Sequence, residues 1–420
     1  MATGDEGDHS ARLRAAMVAR LFDNGVLHDP AVAEAMASVP RHLFVPEVSP
    51  EEAYRDQAIP TKVVAGEAVS SSSQPAIMAI MLEQLDPRPG QRVLEIGAGT
   101  GYNAALLARL VGPSGSVVTV DIDEDLVEGA RAHLAAAGLA GAPIEVVCAD
   151  GAWGWPPGAP YDRIILTVGA SDLAPAWLEQ LSPGGRLVLP LSVRGVQQSV
   201  CFVWEGDHLV SLSLRDCGFM PLRGELVGPE RRIPLPGHPG VSLLVPDARD
   251  LDPEALARAL AGPFEDRSTG IEAGGGSLAS LGRWLALRDP GTAHLVVHGT
   301  PEELAASRVP PLFDWPVPGG CQRLTVCLLG RASLAALTRA PVSAAHRRPA
   351  PLTVRAWGPE PEAGELARRL EEHAAAWDRS GRLTTEHVRM AAYPQGAEVP
   401  DVPGAVVVDT GHARLVVKAA

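Results

Sequence analysis

The chain has 420 residues, room for two or three domains. Acidic residues outnumber basic ones, 50 to 36, for a net charge of −14, which argues against nucleic acid as the main partner because phosphate contacts need clustered Lys and Arg. A hydrophobic content of 46% supports sizeable cores. The polar start, Met1 to Ser10, does not resemble a signal peptide, and no apolar run is long enough for a bilayer, so no membrane partner and a cytoplasmic location are expected. Cys148, Cys201, Cys217, Cys321 and Cys327 contain no CxxC pair, so reduced thiols are expected and no metal site.

In chain order, residues 1–10 read as disordered, and Ala11 to Phe22 as a helix with Leu13, Met17 and Leu21 every four residues. Asp29-Pro30 opens a second helix. Val39-Pro-Arg-His-Leu-Phe-Val-Pro46 and Ala53-Tyr-Arg-Asp-Gln57 read as Pro-punctuated connectors. Ser70-Ser-Ser-Ser-Gln-Pro75 precedes a helix from Ala76 to Leu85, with Ser73 suited to the N-cap and Pro75 to the first turn. Plain capping accounts for one serine. The surplus hydroxyls, next to free N–H groups at a helix N-terminus, also suit a substrate carboxylate.

The most informative stretch is Arg92-Val-Leu-Glu-Ile-Gly-Ala-Gly-Thr-Gly-Tyr102. Val93, Leu94 and Ile96 form a buried-strand run, and Gly97, Gly99 and Gly101 form a turn into a helix from Asn103 to Leu110. Glycine there permits a sharp bend and close approach of a ligand to bare main chain. A strand from Ser116 ends at Asp121, followed by Ile122, where an acid can accept from ribose hydroxyls. The spacing is GxGxG, with Glu95 in front. A carboxylate there repels pyrophosphate but suits the ammonium of a methionine-like group. The pattern therefore points to S-adenosylmethionine, leaving S-adenosylhomocysteine as product, and to a methyltransferase core.

Ile144 to Cys148 reads as a third strand, leading to Asp150-Gly151, where the acid is either an adenine acceptor or a loop starter. Tyr161 to Thr167 reads as a fourth strand entering the small-residue loop Val168-Gly-Ala-Ser171. Arg186 to Leu191 completes the parallel part, and Gln198 to Leu214 forms a hairpin. Strands alternating with helices and ending in a hairpin predict an α/β fold, a Rossmann-like doubly wound sheet with an antiparallel edge. The Pro- and Gly-rich stretch Gly228 to Gly240 marks a boundary, dividing the chain into 1–230, the methyltransferase domain with its N-terminal helices, and 231–420, an α+β domain. The second part has no glycine-rich turn, so it is expected to select the substrate.

The segment from Val39 to Gly224 resembles protein-L-isoaspartate O-methyltransferases, on the ordered series Val-Pro-Arg-His-Leu-Phe-Val-Pro, Ala-Tyr-x-Asp, Ser-x-Ser-Gln-Pro, Val-Leu-Glu-Ile-Gly-x-Gly-x-Gly-Tyr, Asp-Gly and Phe219-Met-Pro-Leu222. The resemblance implies methylation of a peptide carboxylate, with Glu95, Gly97, Gly99, Gly101, Asp121, Ile122, Asp150 and Gly151 holding the cofactor. It places the active-site serine at Ser73, with Ser71 in place of a threonine. Ser72, Gln74, Val168, Gly169, Ala170 and Arg223 fall on the substrate side. Ser72 stands where the family has an apolar residue, and Val168-Gly169-Ala170 departs from its alanine-rich loop. The long C-terminal addition is similar to that of extended members associated with lanthipeptides and other ribosomally made peptides. The expectation drawn from it is methylation of an Asp in a cyclised precursor peptide, leading through a succinimide to isoaspartate; the alternative is repair of isoaspartate in damaged protein.

Overall fold

The computed structural model describes residues 3–64, 67–317, 320–339, 349–382 and 384–419. The chain folds into two compact units. The first consists of residues 1–191, 197–228 and 389–417, and the second of 192–196, 229–388 and 418–420. The sequence division at 230/231 puts residues 389–417 in the second domain; the structure puts them in the first.

The first unit opens with helices α1 (Thr3–Asp23), α2 (Pro30–Ser38) and the short α3 (Pro50–Ala53). α1 begins well inside the stretch expected to be disordered. Asp29 caps α2 by accepting from the Ala31 amide at 2.7 Å, and Pro30 supplies a first-turn residue with no N–H to leave unpaired. Between α2 and α3, Arg41–Phe44 forms one turn of 3-10 helix rather than an open connector. Strands β1 (Ile59–Val64) and β2 (Glu67–Ser72) then pair as an antiparallel ribbon. Three of the four serines therefore lie on a strand, and helix α4 (Pro75–Leu85) begins after them.

The central sheet follows the expected alternation. It contains β3 (Arg92–Ile96), β4 (Ser116–Asp121), β5 (Ile144–Cys148), β6 (Tyr161–Leu166), β7 (Leu181–Val193), β8 (Val196–Glu205) and β9 (His208–Asp216), with helices α5 (Tyr102–Val111), α6 (Glu124–Ala136) and α7 (Pro175–Gln180) between them. Pairings β3–β4, β3–β6, β4–β5 and β6–β7 are parallel, and β8–β9 is antiparallel. α5 is buried almost throughout, with Leu106, Leu107 and Val111 shielded from solvent, because it packs between the sheet and the N-terminal helices.

The second unit is a mostly antiparallel sheet of β10 (Arg231–Pro234), β11 (Val241–Val245), β12 (Phe264–Ala273), β13 (Thr292–Gly299), β14 (Phe313–Val317), β15 (Gly320–Leu329), β16 (Leu334–Arg339) and β17 (Ala350–Trp357). Its helices are α8 (Pro253–Ala261), α9 (Gly275–Arg288), α10 (Pro301–Ala306) and α11 (Glu362–Arg379). Alternate residues of one strand serve two cores. Ala335 and Leu337 face the cluster containing Leu281, Leu366 and Leu370, whereas Leu334 and Ala336 face the cluster containing Leu256, Leu260 and Leu304. Both faces are thus covered by helices, which explains why its inner strands read as continuous apolar runs.

After α11 the chain returns to the first unit as β18 (Val388–Pro394), β19 (Val406–Asp409) and β20 (Ala413–Ala419). β18 pairs antiparallel with β9, so the first sheet has ten strands in the order β19-β20-β18-β9-β8-β7-β6-β3-β4-β5.

Candidate active site

A cavity of about 290 Å³ opens at the carboxyl ends of β3 and β4, where ligands bind in open α/β sheets. One wall is the glycine turn. Gly97, Gly99 and Gly101 all have positive φ, at 103°, 49° and 84°. A Cβ on Gly97 would fall 2.6 Å from Thr167 Oγ1, and one on Gly101 would fall 3.3 Å from the Ala130 carbonyl oxygen. Gly99 differs: its nearest neighbour would be 3.8 Å away, so its bare backbone faces open cavity. Gly97 and Gly99 line the cavity, whereas Gly101 does its work behind, letting α5 start close against α6.

Asp121 ends β4 at the cavity edge. Its carboxylate accepts from the Gly99 amide at 2.9 Å and from the Asp123 amide at 3.3 Å, and burial raises its pKa. Ile122 beside it is exposed into the cavity mouth. Glu95 is fully buried, and its two oxygens accept from Asn103 at 2.8 Å and Thr119 at 2.7 Å. Burial pushes its pKa up to about 7. Glu95 lines the cavity floor, and its two oxygens, besides any ligand they face, tie α5 to β4.

Asp150, unlike Glu95, is not on the cavity surface. It accepts from Ala152, capping a one-turn helix, and from the Glu225 amide at 2.8 Å, so the loop-starter reading is the one its contacts satisfy. Gly151 does line the cavity, and a side chain there would collide with Ile96.

The opposite wall carries Ser70 to Gln74, with Ile77, Met78 and Tyr102. Ser73 is not the cap of α4. Gln74 takes the cap position without a side-chain bond, and Asp56 accepts from the Ala76 amide at 2.9 Å instead. Ser70 bonds to Thr61. The Ser72 hydroxyl is buried, lines the cavity and has no hydrogen-bond partner among the described residues; the same holds for the Tyr102 hydroxyl, which burial pushes up to about 12.

Arg41 holds this wall together. Its guanidinium is fully buried and donates to the carbonyls of Ala53 at 2.8 Å, Ser73 at 2.9 Å and Ser72 at 3.4 Å, while lying over the Tyr102 ring at 5.0 Å. Sequence reasoning missed it. The available clue was an arginine between two prolines ahead of an apolar run.

A third side consists of Thr167, Val168 and the segment Asp216 to Arg223. Gly169 and Ala170, expected to face substrate, lie behind Val168. Their amides donate to Met220 and Pro190 carbonyls at 2.7 and 2.8 Å, and a Cβ on Gly169 would strike Gln197. Arg223, also expected on the substrate side, lines the mouth but is bidentate on Asp123, at 2.7 and 3.2 Å. Asp123 is gripped from the other side by Lys62 at 2.8 Å, so β1, the β4–α6 loop and the 216–223 segment are clasped across the opening. Arg231 and Arg232 lie on β10 in the second unit. Among the described residues no group of acids, histidines and cysteines is arranged to hold a metal, and no helix is long and apolar enough to cross a membrane.

Known proteins resemble the N-terminal half of the chain. The profile of the protein-L-isoaspartate (D-aspartate) O-methyltransferase family, PCMT, matches residues 12–226. The chain is 43% identical over 219 residues to the protein-L-isoaspartate O-methyltransferase of Methanopyrus kandleri, covering 51% of this chain and 92% of that protein. It is 38% identical over 245 residues to protein-L-isoaspartate O-methyltransferase 1 of Rhodopseudomonas palustris, covering 58% of this chain and 91% of that one. A solved protein-L-isoaspartate O-methyltransferase structure aligns over 90% of this chain and 96% of its own, at 24% identity and a TM-score of 0.49. On its residues 12–226, the chain belongs to the PCMT family of S-adenosylmethionine-dependent carboxyl O-methyltransferases.

Proposed function

We propose that this enzyme methylates the carboxylate of isoaspartyl residues in proteins or peptides. The observation that carries the proposal is one cavity with two chemically distinct walls: an open glycine turn with Asp121 at its edge, facing a serine segment whose Ser72 hydroxyl is buried and unpartnered. The names of the related proteins support the isoaspartyl substrate over the lanthipeptide expectation.

S-Adenosylmethionine supplies an electrophilic methyl group on sulfur. The residues present fit it: Gly97 and Gly99 give bare backbone, Asp121 has lone pairs beyond those used by Gly99 and Asp123, and Ile122 with Leu126 offers apolar cover. On the other side, Ser72 and Ser73, with Ser71 and Gln74 beside them, orient the acceptor carboxylate. That group is ionised at neutral pH, so the chain needs no strong base. Its task is to align the reactants and exclude water. In an isoaspartyl residue the main chain runs through the side-chain carbonyl, which leaves the α-carboxylate free to fill this role.

A second reading, methylation of an Asp in a cyclised ribosomal peptide, is favoured by one observation: the family match ends at residue 226, and most of the second unit, residues 229–388, lies beyond it. In this reading that unit chooses the peptide. Cutting the chain near Gly237 is a poor test, because it also removes β18–β20 from the first sheet. The cleaner experiment incubates full-length protein and cofactor with matched isoaspartyl, aspartyl and cyclised aspartyl peptides and follows mass. Gain of a methyl group on the isoaspartyl peptide alone supports the first reading. Methylation of the aspartyl peptides, followed by loss of methanol to the imide, supports the second and overturns the first.

A further inference from the structure

Asp172 sits at the end of the loop that follows β6, four residues after cavity-lining Val168, and its side chain is buried. The carboxylate accepts four hydrogen bonds. One comes from the neighbouring Leu173 amide at 2.8 Å, and three come from the turn joining β19 to β20: Thr410 Oγ1 at 2.6 Å, the His412 amide at 2.9 Å and His412 Nδ1 at 2.6 Å.

That turn is shaped for the contact. Gly411 has φ of 100°, and a Cβ on it would stand 3.1 Å from Asp172 Oδ2. The Thr410 amide closes the turn onto Ala413, and the Gln395 amide at the end of β18 donates to the His412 carbonyl. Two further ties hold the same loop. Gly169 exchanges backbone bonds with Met220 and Leu222, and Gly228 approaches Ser171 so closely that a Cβ there would be 2.7 Å from its hydroxyl. The loop thus carries Val168 on its cavity side and is gripped on its far side by residues some 240 positions later in the chain.

We propose that the Thr410–His412 turn is a positioning element for the peptide-facing side of the active site, and that Asp172 and His412 are its working pair. The returning strands β18–β20 then have a catalytic purpose: they carry a latch that sets Val168 and, through Gly169, the Met220–Leu222 segment. His412 touches neither cofactor nor substrate and acts only through this loop. The proposal rests on the isoaspartyl-peptide reading above and takes cavity-lining Val168 and Met220 as the residues that face the peptide.

The test uses the full-length enzyme with His412→Ala, His412→Asn and Thr410→Val. His412→Ala removes a side-chain donor to Asp172, while asparagine can still present one at a similar reach. The expected result is a rise of about fivefold in KM for an isoaspartyl peptide with little change in kcat, because the loss falls on placing the peptide. Affinity for S-adenosylmethionine, measured by calorimetry, should stay within about twofold, and asparagine should restore KM. Amide exchange at Gly169, Ala170 and Leu173 should quicken roughly tenfold in His412→Ala, a local opening readable without any activity. Thr410→Val removes a single donor and serves if His412→Ala does not fold.

Unchanged KM and unchanged exchange in these variants overturn the latch. Equal losses of cofactor and peptide affinity with a lowered melting temperature also overturn it, since they indicate general support of the sheet. If the unmodified enzyme ignores isoaspartyl peptides, the proposed substrate is wrong, while the exchange measurement still decides whether the turn sets the loop.

Discussion

The glycine turn between β3 and α5 and the serine segment at the end of β2, leading into α4, face the same cavity, but they are held in place by different means. The turn and its acid come from one βαβ stretch, residues 92–121, and the key contact, Asp121 to the Gly99 amide, closes within it. The serine segment is held from outside. Arg41 ties Ser72 and Ser73 to Ala53, Asp56 caps α4, and Thr61 reaches Ser70. A local motif brings its own geometry with it. An assembled wall fails wherever one distant partner is lost, so the two walls should respond differently to mutation.

Arg41→Ala should break that comparison open most clearly. Buried carbonyls that lose their donor cost about 1–3 kcal/mol each, so total stability should fall by about 3 kcal/mol once one of them relaxes. The serine backbone would also be free to shift, and a displacement of about 1 Å costs on the order of a hundredfold in rate. Peptide methylation should therefore drop roughly a hundredfold in the protein that remains folded, with cofactor affinity changed by less than about threefold. Equal losses on both sides of the cavity would show that the walls are not independent.

The same contrast explains what could be read in advance. The GxGxG turn, Glu95 and Asp121 were legible because their chemistry and spacing are contiguous. Their finer roles were not: that Glu95 has both oxygens occupied depends on Thr119, across a strand pair, and on Asn103 in the helix. Ser73 looked like a cap because Ser before Pro normally is one; Asp56, far back in the chain, takes that role. Arg41 was overlooked because arginine is rarely fully buried. β18–β20 fall on the wrong side of the sequence division at 230/231, since periodicity gives a strand but not the sheet it joins. Position alone puts Gly169, Ala170 and Arg223 on the substrate side, and only the packing shows the first two behind Val168 and the third clasped to Asp123.

Glu95 sharpens the comparison through pH. Its folded pKa, pushed up to about 7 by burial, exceeds the ordinary value of 4.5. Below 4.5 both folded and unfolded chains hold the proton and no penalty arises. As pH rises from 4.5 to 7 the unfolded chain releases its proton first, so this group progressively destabilises the fold, and the penalty levels off above 7. The span corresponds to about 3 kcal/mol. Glu95→Gln abolishes the titration and can still bond to Asn103 and Thr119. Relative to the unaltered enzyme it should gain about 3 kcal/mol between pH 4.5 and pH 8, read from denaturant midpoints. Parallel stability curves for the two proteins would place the titration elsewhere.

Asp121→Ala tests the self-contained wall directly. The carboxylate keeps the Gly99 amide paired and still has lone pairs toward the cavity, where a ribose would present two hydroxyls. Losing a charged acceptor costs roughly 1.5–3 kcal/mol, so affinity for S-adenosylmethionine should fall about ten- to a hundredfold by calorimetry. Part of that loss comes from the Gly99 turn, whose amide is left unpaired at a positive-φ position. Asp121→Asn keeps an acceptor for that amide and should recover a portion of the affinity, which separates the turn-holding contribution from direct contact with the ligand. Because Arg41 and Asp56 fix the serine side independently, the KM for peptide at saturating cofactor should remain within about twofold. Unchanged cofactor affinity in a folded Asp121→Ala protein would take this residue out of the cofactor site. A peptide KM that moves as much as the cofactor affinity would show that the glycine turn also sets the opposite wall.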